Sequence, residues 1–303
     1  MSRIIKITPK DSFKDPFKKP LNAPLENQSN NSIEIVTPHW PISSRITAFT
    51  TTRKGGVSEG DFRGLNMGLS TADDPRSVMA NRQLLQEVLT IPASDFHLTQ
   101  IHSNLCVPVD EKWAGIGADA CYTDQANLPA MILTADCLPI LIANRAENRV
   151  IAIHAGWRSL LMDIIENSIR NLTALGEKPE DLFVWLGPAI SQKAFEVGNE
   201  VRQAFLYRNT LLENILIDTS GNPIKDKTVA NDENPLFIPS SNEGRYYADI
   251  YQLAKLRLYN LGIPTTQIYG GDLCTYSMPE YFYSYRRDGA KSGRMASCIW
   301  INS

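Results

Sequence analysis

Residues 130–157, AMILTADCLPILIANRAENRVIAIHAGW, carry the reading of the fold. The apolar run Met131-Ile132-Leu133 leads into the turn Thr134-Ala135-Asp136-Cys137, and Val150-Ile151-Ala152-Ile153 leads into His154. Both runs are β-like, rich in Ile, Leu and Val and bounded by polar or turn residues. A third run of the same kind, Leu98-Thr99-Gln100-Ile101, precedes His102. Each run delivers one good metal-binding side chain to the end of a strand, where α/β proteins gather their sites.

Two imidazoles and a thiolate suit zinc, and three protein ligands with a free fourth position are the pattern of a catalytic rather than a structural site. The gaps agree: His102 to Cys137 is 35 positions and Cys137 to His154 is 17, whereas structural fingers use tight pairs. The opposing reading is that some of the four His and five Cys are core residues, since free Cys behaves mostly as a small hydrophobe.

The chain resembles the bacterial laccase-domain proteins, also called multicopper polyphenol oxidase-like or peptidoglycan editing factor proteins. The resemblance spans residues 48–301. It rests on Thr51-Thr52-Arg53-Lys54-Gly55-Gly56-Val57-Ser58, Leu65-Asn66-Met67-Gly68, residues 134–139, residues 154–158, Gly187-Pro188-Ala189-Ile190, residues 282–289 and Gly293-Arg294-Met295. Ser103 and Ser159 stand where that family usually has Gly, and residues 191–195 lack its usual Gly-Pro and Cys. The resemblance implies an α+β fold, a mixed α/β sandwich of largely antiparallel sheets flanked by helices, similar to the cysteine-hydrolase-like toxin fold. It implies a zinc site on His102, Cys137 and His154. It also implies purine nucleoside phosphorylase activity on adenosine, inosine, guanosine or methylthioadenosine, with adenosine deaminase activity, and inorganic phosphate as partner.

The name polyphenol oxidase invites a copper reading. A blue-copper centre plus a trinuclear cluster needs about ten imidazoles, and four His cannot supply them. One adventitious copper on the same three ligands would follow the Irving-Williams order.

With 303 residues, 43% apolar and 21% charged, the chain has the composition of a globular protein with ample core. Net charge of −3 leaves no electrostatic footprint for nucleic acid. No stretch is apolar enough to span a membrane and no apolar segment of a signal peptide follows the early lysines, so a cytoplasmic protein is expected. Five scattered Cys form no disulfide framework. Oligomeric state is not legible.

Residues 1–32, rich in Lys, Pro, Asn and Ser, read as a flexible tail, with a docked strand at Ile4 to Ile7 as the alternative. Residues 33–303 read as one domain. Helices are expected at Pro75–Leu89, at residues 160–172 and at residues 248–261, the last stopping at Gly262-Ile263-Pro264. The polar segment 208–243 reads as an insertion with a small hairpin at residues 215–224, and a lid over the site is one role for it.

Arg53, beside Gly55-Gly56, and Arg286-Arg287 are candidates to bind phosphate, or to hold loops together by salt bridges. Arg158, at a helix start, reads as structural. Tyr281, Phe282, Tyr283 and Tyr285 read as a stacking wall for a purine or as a strand packing on both faces. Asp136 reads as an acceptor orienting a His ligand, a proton shuttle or a cap on turn amides. Two other functions fit the same residues: a cysteine hydrolase or amidase acting on peptidoglycan precursors through Cys137 and His154, and a non-catalytic module stapled by zinc.

Overall fold

All seven residues of Leu138–Asn144, all six of Val150–Ala155 and all seven of Met295–Ile301 are buried. Strands lose their apolar and polar alternation in this way when both faces are covered. The computed structural model describes residues 1–8, 32–92, 97–211, 216–217, 223–224 and 235–303.

In chain order, strands β1 (Ser2–Ile7), β2 (Ile33–Pro38) and β3 (Ile46–Thr51) precede helix α1 (Pro75–Leu89). Strands β4 (Cys106–Pro108), β5 (Ala120–Thr123), β6 (Ala130–Thr134), β7 (Leu138–Asn144) and β8 (Val150–Ala155) follow. Helices α2 (Trp157–Leu161) and α3 (Ile164–Ala174) lead to β9 (Leu182–Leu186), β10 (Glu196–Gly198) and α4 (Asn199–Leu211). Next come β11 (Leu216–Ile217), β12 (Pro223–Ile224), β13 (Phe237–Pro239), β14 (Arg245–Ala248) and α5 (Ile250–Asn260). The chain closes with β15 (Ile268–Gly270), α6 (Tyr285–Asp288) and β16 (Met295–Ile301).

One sheet, in the order β1-β2-β3-β16-β6, is antiparallel throughout. The other, β15-β9-β7-β8-β5-β4, is antiparallel except where β15 joins β9 and β4 joins β5. Alternate residues assign the layers. Ala48, Ile132, Met295 and Ile299 of the first sheet meet Leu141, Ala143, Val150 and Ala152 of the second. Phe49, Ala296 and Cys298, on the outer face of the first sheet, meet Leu85 of α1. Ile140, Ile142, Ile151 and Ile153, on the outer face of the second, meet α3 and α5 through Ile165, Ile169, Leu253 and Ala254. Each such Leu or Ile contributes about 1.5–3 kcal/mol on burial. The result is the expected α+β sandwich, two largely antiparallel sheets between layers of helix.

Helix α1 has the bounds its sequence predicts, started by Asp74, whose carboxylate accepts from the Arg76 N–H at 2.9 Å, and by Pro75 at N1. The helix expected over residues 160–172 is instead two, α2 and α3, broken at Asp163 with φ of 67°. Helix α4 was not legible, because Arg202 interrupts the apolar face formed by Val201 and Phe205 and is itself buried. Residues 98–101 form an irregular loop, not a strand. In the insertion, β11 pairs with β12, as the expected hairpin requires. The rest of 212–234 lies outside the described residues, and so does the lid reading.

The tail expectation does not hold for Ser2–Ile7, which pairs along β2 from Ser2 with Pro38 to Ile7 with Ile33. Ile4 packs on the core between the sheets, and the Ser2 backbone N–H and hydroxyl donate to the Asp272 carboxylate at 2.9 and 2.7 Å. Residues 9–31 lie outside the described residues. Among the described residues, no helix is long and apolar enough to cross a membrane.

Candidate metal centre and its cavity

The chain passes from one sheet to the other between β6 and β7, and Ala135-Asp136-Cys137 is that crossing. Asp136 takes φ of 91°, a strained value for a residue other than Gly. Its carboxylate holds the turn by accepting from the Thr275 hydroxyl (2.6 Å), the Ser284 hydroxyl (2.9 Å) and the Arg286 N–H (2.6 Å). Its carbonyl accepts from the Ile190 N–H at 3.0 Å. Asp136 thus fixes where Cys137 points and anchors the start of α6. Of the three expected roles its contacts match amide capping in part, through the Arg286 N–H at the start of α6, and among the described residues no histidine hydrogen-bonds to its carboxylate.

His154 lies on β8, its Cα paired with that of Pro139 just beyond Cys137. His102 reaches the same place from a loop, with φ of 59°. Gln100 ties that loop to the edge of β6: its amide donates to the Leu133 carbonyl and accepts from the Leu133 N–H, both at 2.7 Å. Asp119, fully buried, holds the other side. Its carboxylate accepts from the His102 N–H (3.0 Å), the Ser103 N–H (2.5 Å) and hydroxyl (2.8 Å), and pairs with His154 Nδ1 at 2.7 Å.

Asp119 is therefore the carboxylate that orients the histidine, a function the sequence reading sought at Asp136. It leaves His154 Nε2 as the ring nitrogen turned toward Cys137. The available signal was a charged residue inside the small apolar run Gly117-Ala118-Asp119-Ala120, since a carboxylate buried there needs partners.

Cys137 Sγ lies 3.7 Å from His102 Nε2, and the ligand atoms of His102, Cys137 and His154 all fall within 4.8 Å of one another. Tetrahedral zinc with S at about 2.3 Å and N at about 2.0 Å requires ligand atoms about 3.5 Å apart. Cys137 Sγ and His102 Nε2 stand near that spacing, and the three donors are close enough to converge on one ion after a small side-chain movement. A Cβ on Gly156 would stand 2.7 Å from His102 Cδ2 and 3.1 Å from Cys137 Sγ, so the absence of a side chain there keeps the donors clear.

Electrostatics favour an anionic sulfur. Burial alone would raise the Cys137 pKa, but the charge of His154 and hydrogen bonds from both histidines outweigh it and bring the thiol down to about 6. Burial would lower His154, but the Cys137 charge and the Asp119 hydrogen bond carry it up to about 9. Without metal both shifts favour a thiolate and imidazolium pair, and a thiolate is also the form that ligates a metal.

The three ligands open into a cavity of about 890 Å³. Trp157, Ile190, Phe195 and Ile250 give it an apolar wall, and four arginines line it: Arg82, Arg158, Arg286 and Arg294. None of the four has a carboxylate within ion-pair distance among the described residues, and the only acidic lining residue is the engaged Asp136.

Of the predicted anion binders, the structure brings Arg286 to this cavity. Arg53 lies elsewhere, donating to the Pro279 and Arg63 carbonyls (3.3 and 3.2 Å) and covering the Tyr283 ring at 4.6 Å. Arg287 spends its donors on Asp288 and on the carbonyls of Thr275, Tyr276 and Phe282. Arg287 thus makes a salt bridge of the expected loop-holding kind, while Arg53 ties loops together through carbonyls, with no salt bridge among the described residues. Of the four aromatics, only Tyr285 lines the cavity. Phe282 and Tyr283 are core, and residues 281–284 form no strand. Arg82 and Arg294 left no sequence signal as a pair, because 212 positions separate them.

Residues 47–302 match the family described as "Multi-copper polyphenol oxidoreductase laccase". The chain is 40% identical over 270 residues to a Haemophilus influenzae protein named "Purine nucleoside phosphorylase", covering 89% of this chain and 100% of that one. It is 38% identical to "Purine nucleoside phosphorylase YfiH" of Escherichia coli, covering 88% and 99%. Among solved structures, a Neisseria meningitidis protein superposes with a TM-score of 0.74 at 36% identity, covering 89% of this chain and 99% of that one. YlmD from Geobacillus stearothermophilus superposes at 0.75 with 28% identity, covering 89% and 96%.

Proposed function

Since the chain belongs to the multi-copper polyphenol oxidoreductase laccase family, we propose that it is a zinc-dependent purine nucleoside phosphorylase, acting on adenosine, inosine, guanosine or methylthioadenosine, with adenosine deaminase activity. The observation that carries this reading is the arginine-lined cavity opening on three metal-competent ligands. The family's description is no argument for laccase chemistry here: four His cannot build a multicopper centre, and the described residues hold one metal-competent group.

Phosphorolysis joins a phosphate oxygen to ribose C1′ and breaks the bond from C1′ to the purine nitrogen. The electron pair leaves with the base, which then takes up a proton. The guanidinium groups supply the anion binding this needs, and they act strongly where water is scarce. The apolar wall at Trp157 and Phe195 suits a flat base. Deamination replaces the C6 amino group by the oxygen of water and releases ammonia. Zinc held by His102, Cys137 and His154 would supply Lewis acidity; copper would be the substitute for the same donors. Asp119 keeps the His154 ring turned for either reaction.

The test pairs metal analysis of untagged protein with turnover of inosine and adenosine, with and without phosphate. About one zinc per chain and phosphate-dependent release of base are expected; ammonia from adenosine without phosphate adds deamination. A metal-loaded protein that releases neither product refutes the reading.

One observation favours a second reading. The lowered Cys137 pKa and raised His154 pKa suit a nucleophilic cysteine. Iodoacetamide alkylation of Cys137 that zinc does not slow supports it, and protection by zinc opposes it.

A further inference from the structure

Among the lining arginines, two are built into the scaffold as a pair. The Met67 N–H donates to the Arg294 carbonyl at 3.0 Å, and the Met67 carbonyl accepts from Arg82 Nε and Nη2 at 3.0 and 2.8 Å. The Asn66 side-chain oxygen accepts from the Arg294 N–H at 2.8 Å and from the Gly68 N–H at 3.0 Å. Arg294 Nη1 is held by the carbonyls of Ser292 and Gly293 at 2.7 and 2.9 Å. A Cβ on Gly68 would stand 2.7 Å from Arg294 Cγ, so the chain leaves room for that side chain to lie flat.

The anchoring consumes only part of each guanidinium. Arg294 keeps Nε and Nη2 and Arg82 keeps Nη1 without a protein acceptor among the described residues, and both side chains line the cavity. Both are partly buried, and burial pushes both pKa values down, because the charged forms are short of water there. Cationic groups placed so, without a carboxylate, favour an anionic ligand that supplies the missing acceptors. Arg158 and Arg286 differ in being exposed; a ring contact does not separate them, since Arg158 lies over Trp157 at 4.3 Å, Arg286 over Phe195 at 5.7 Å and Arg294 over Tyr285 at 5.8 Å.

We propose that Arg294 and Arg82, joined through the backbone of Met67, form a phosphate seat beside the metal ligands. The ligand class is a tetrahedral phosphate group, either inorganic phosphate or the phosphate of a monoester substrate. Its role as the site of the phosphorolytic co-substrate rests on the phosphorylase reading above; the seat itself does not.

The experiment titrates inorganic phosphate and inosine 5′-phosphate calorimetrically into metal-replete and metal-free protein. It compares wild type with Arg294→Gln, Arg82→Gln, Arg294→Lys and the exposed control Arg76→Gln, each checked by circular dichroism. Phosphate affinity is expected to fall about tenfold or more in either Gln variant, with or without metal. Partial recovery is expected in Arg294→Lys and wild-type affinity in Arg76→Gln. Unchanged affinity in folded Arg82→Gln and in whichever Arg294 variant folds overturns the proposal. Phosphate-dependent release of base with an unaltered KM for phosphate in these variants overturns the seat while sparing the phosphorylase reading. Tight, arginine-dependent binding of the monoester without any phosphate-dependent turnover keeps the seat, assigns it to a phosphorylated substrate and removes the phosphorylase reading.

Discussion

Gly156→Ala isolates the demand that the metal centre places on the backbone around it. Gly156 has φ of −73°, open to any residue, so the substitution adds one methyl group and no backbone strain. That methyl would stand 2.7 Å from His102 Cδ2, 3.1 Å from Cys137 Sγ and 3.2 Å from His102 Nε2. Ordinary contact begins near 3.4 Å, so His102 must retreat by several tenths of an ångström. Metal sites tolerate deviations of about 0.2 Å.

Loss of metal affinity by about 10- to 100-fold is expected, the scale on which disturbed support of a ligand is felt. Stability without metal should barely move: Ala is a poorer N-cap than Gly by a few tenths to about 1 kcal/mol, and the stiffer unfolded chain offsets about 0.4–1 kcal/mol of that. Competition with a colorimetric zinc chelator reads the first quantity and thermal unfolding of metal-free protein the second. Metal affinity within twofold of wild type would refute the steric reasoning.

Three further outcomes follow from the same geometry. Asp119→Asn should lose metal affinity by about 10- to 100-fold and stability by about 2–4 kcal/mol, read by chelator competition and urea unfolding, because an amide cannot accept all the bonds that Asp119 accepts. Burial raises the Asp119 pKa, but hydrogen bonds led by that from His154 outweigh it, so the folded value is depressed. Its contribution is then present above the unfolded value of about 3.9 and lost as pH falls through the folded one, so the stability gap between wild type and Asp119→Asn should close on acidification below about pH 4. Metal-free Cys137 should be alkylated by iodoacetamide with a rate that rises through about pH 6, where an ordinary thiol titrates near 8.5, and bound zinc should suppress the reaction. Asp136→Ala should cost about 3 kcal/mol in denaturant unfolding, through three orphaned donors and a positive φ that Ala tolerates poorly; a loss under about 1 kcal/mol would contradict its anchoring role.

Elements with local signals were readable along the chain, as were the side chains whose donor chemistry marks them as metal-competent. Helix α1 was legible because Asp74-Pro75 starts it and its apolar spacing is helical. His102, Cys137 and His154 were legible as candidate metal donors because few residue types bind such ions and these three lie in recognisable blocks, and the fold brings them together as one metal-competent group. Even so, the strand expected before His102 is a loop, since its hydrogen bonds go to Asp119 and to the edge of β6. Which carboxylate serves the site emerged from the packing of the chain, with Asp119 orienting His154 and Asp136 holding the turn. Packing also decided which arginines face the cavity. Arginines look alike along a chain, and only packing determines whether they spend their donors on loop carbonyls away from the cavity, as Arg53 does, or, as Arg82 and Arg294 do, are held by carbonyls through part of the guanidinium while the side chain lines a cavity. Ionic and hydrogen-bonding roles depend on neighbours brought together over 17 to 228 positions of sequence, and periodicity carries no record of such pairings.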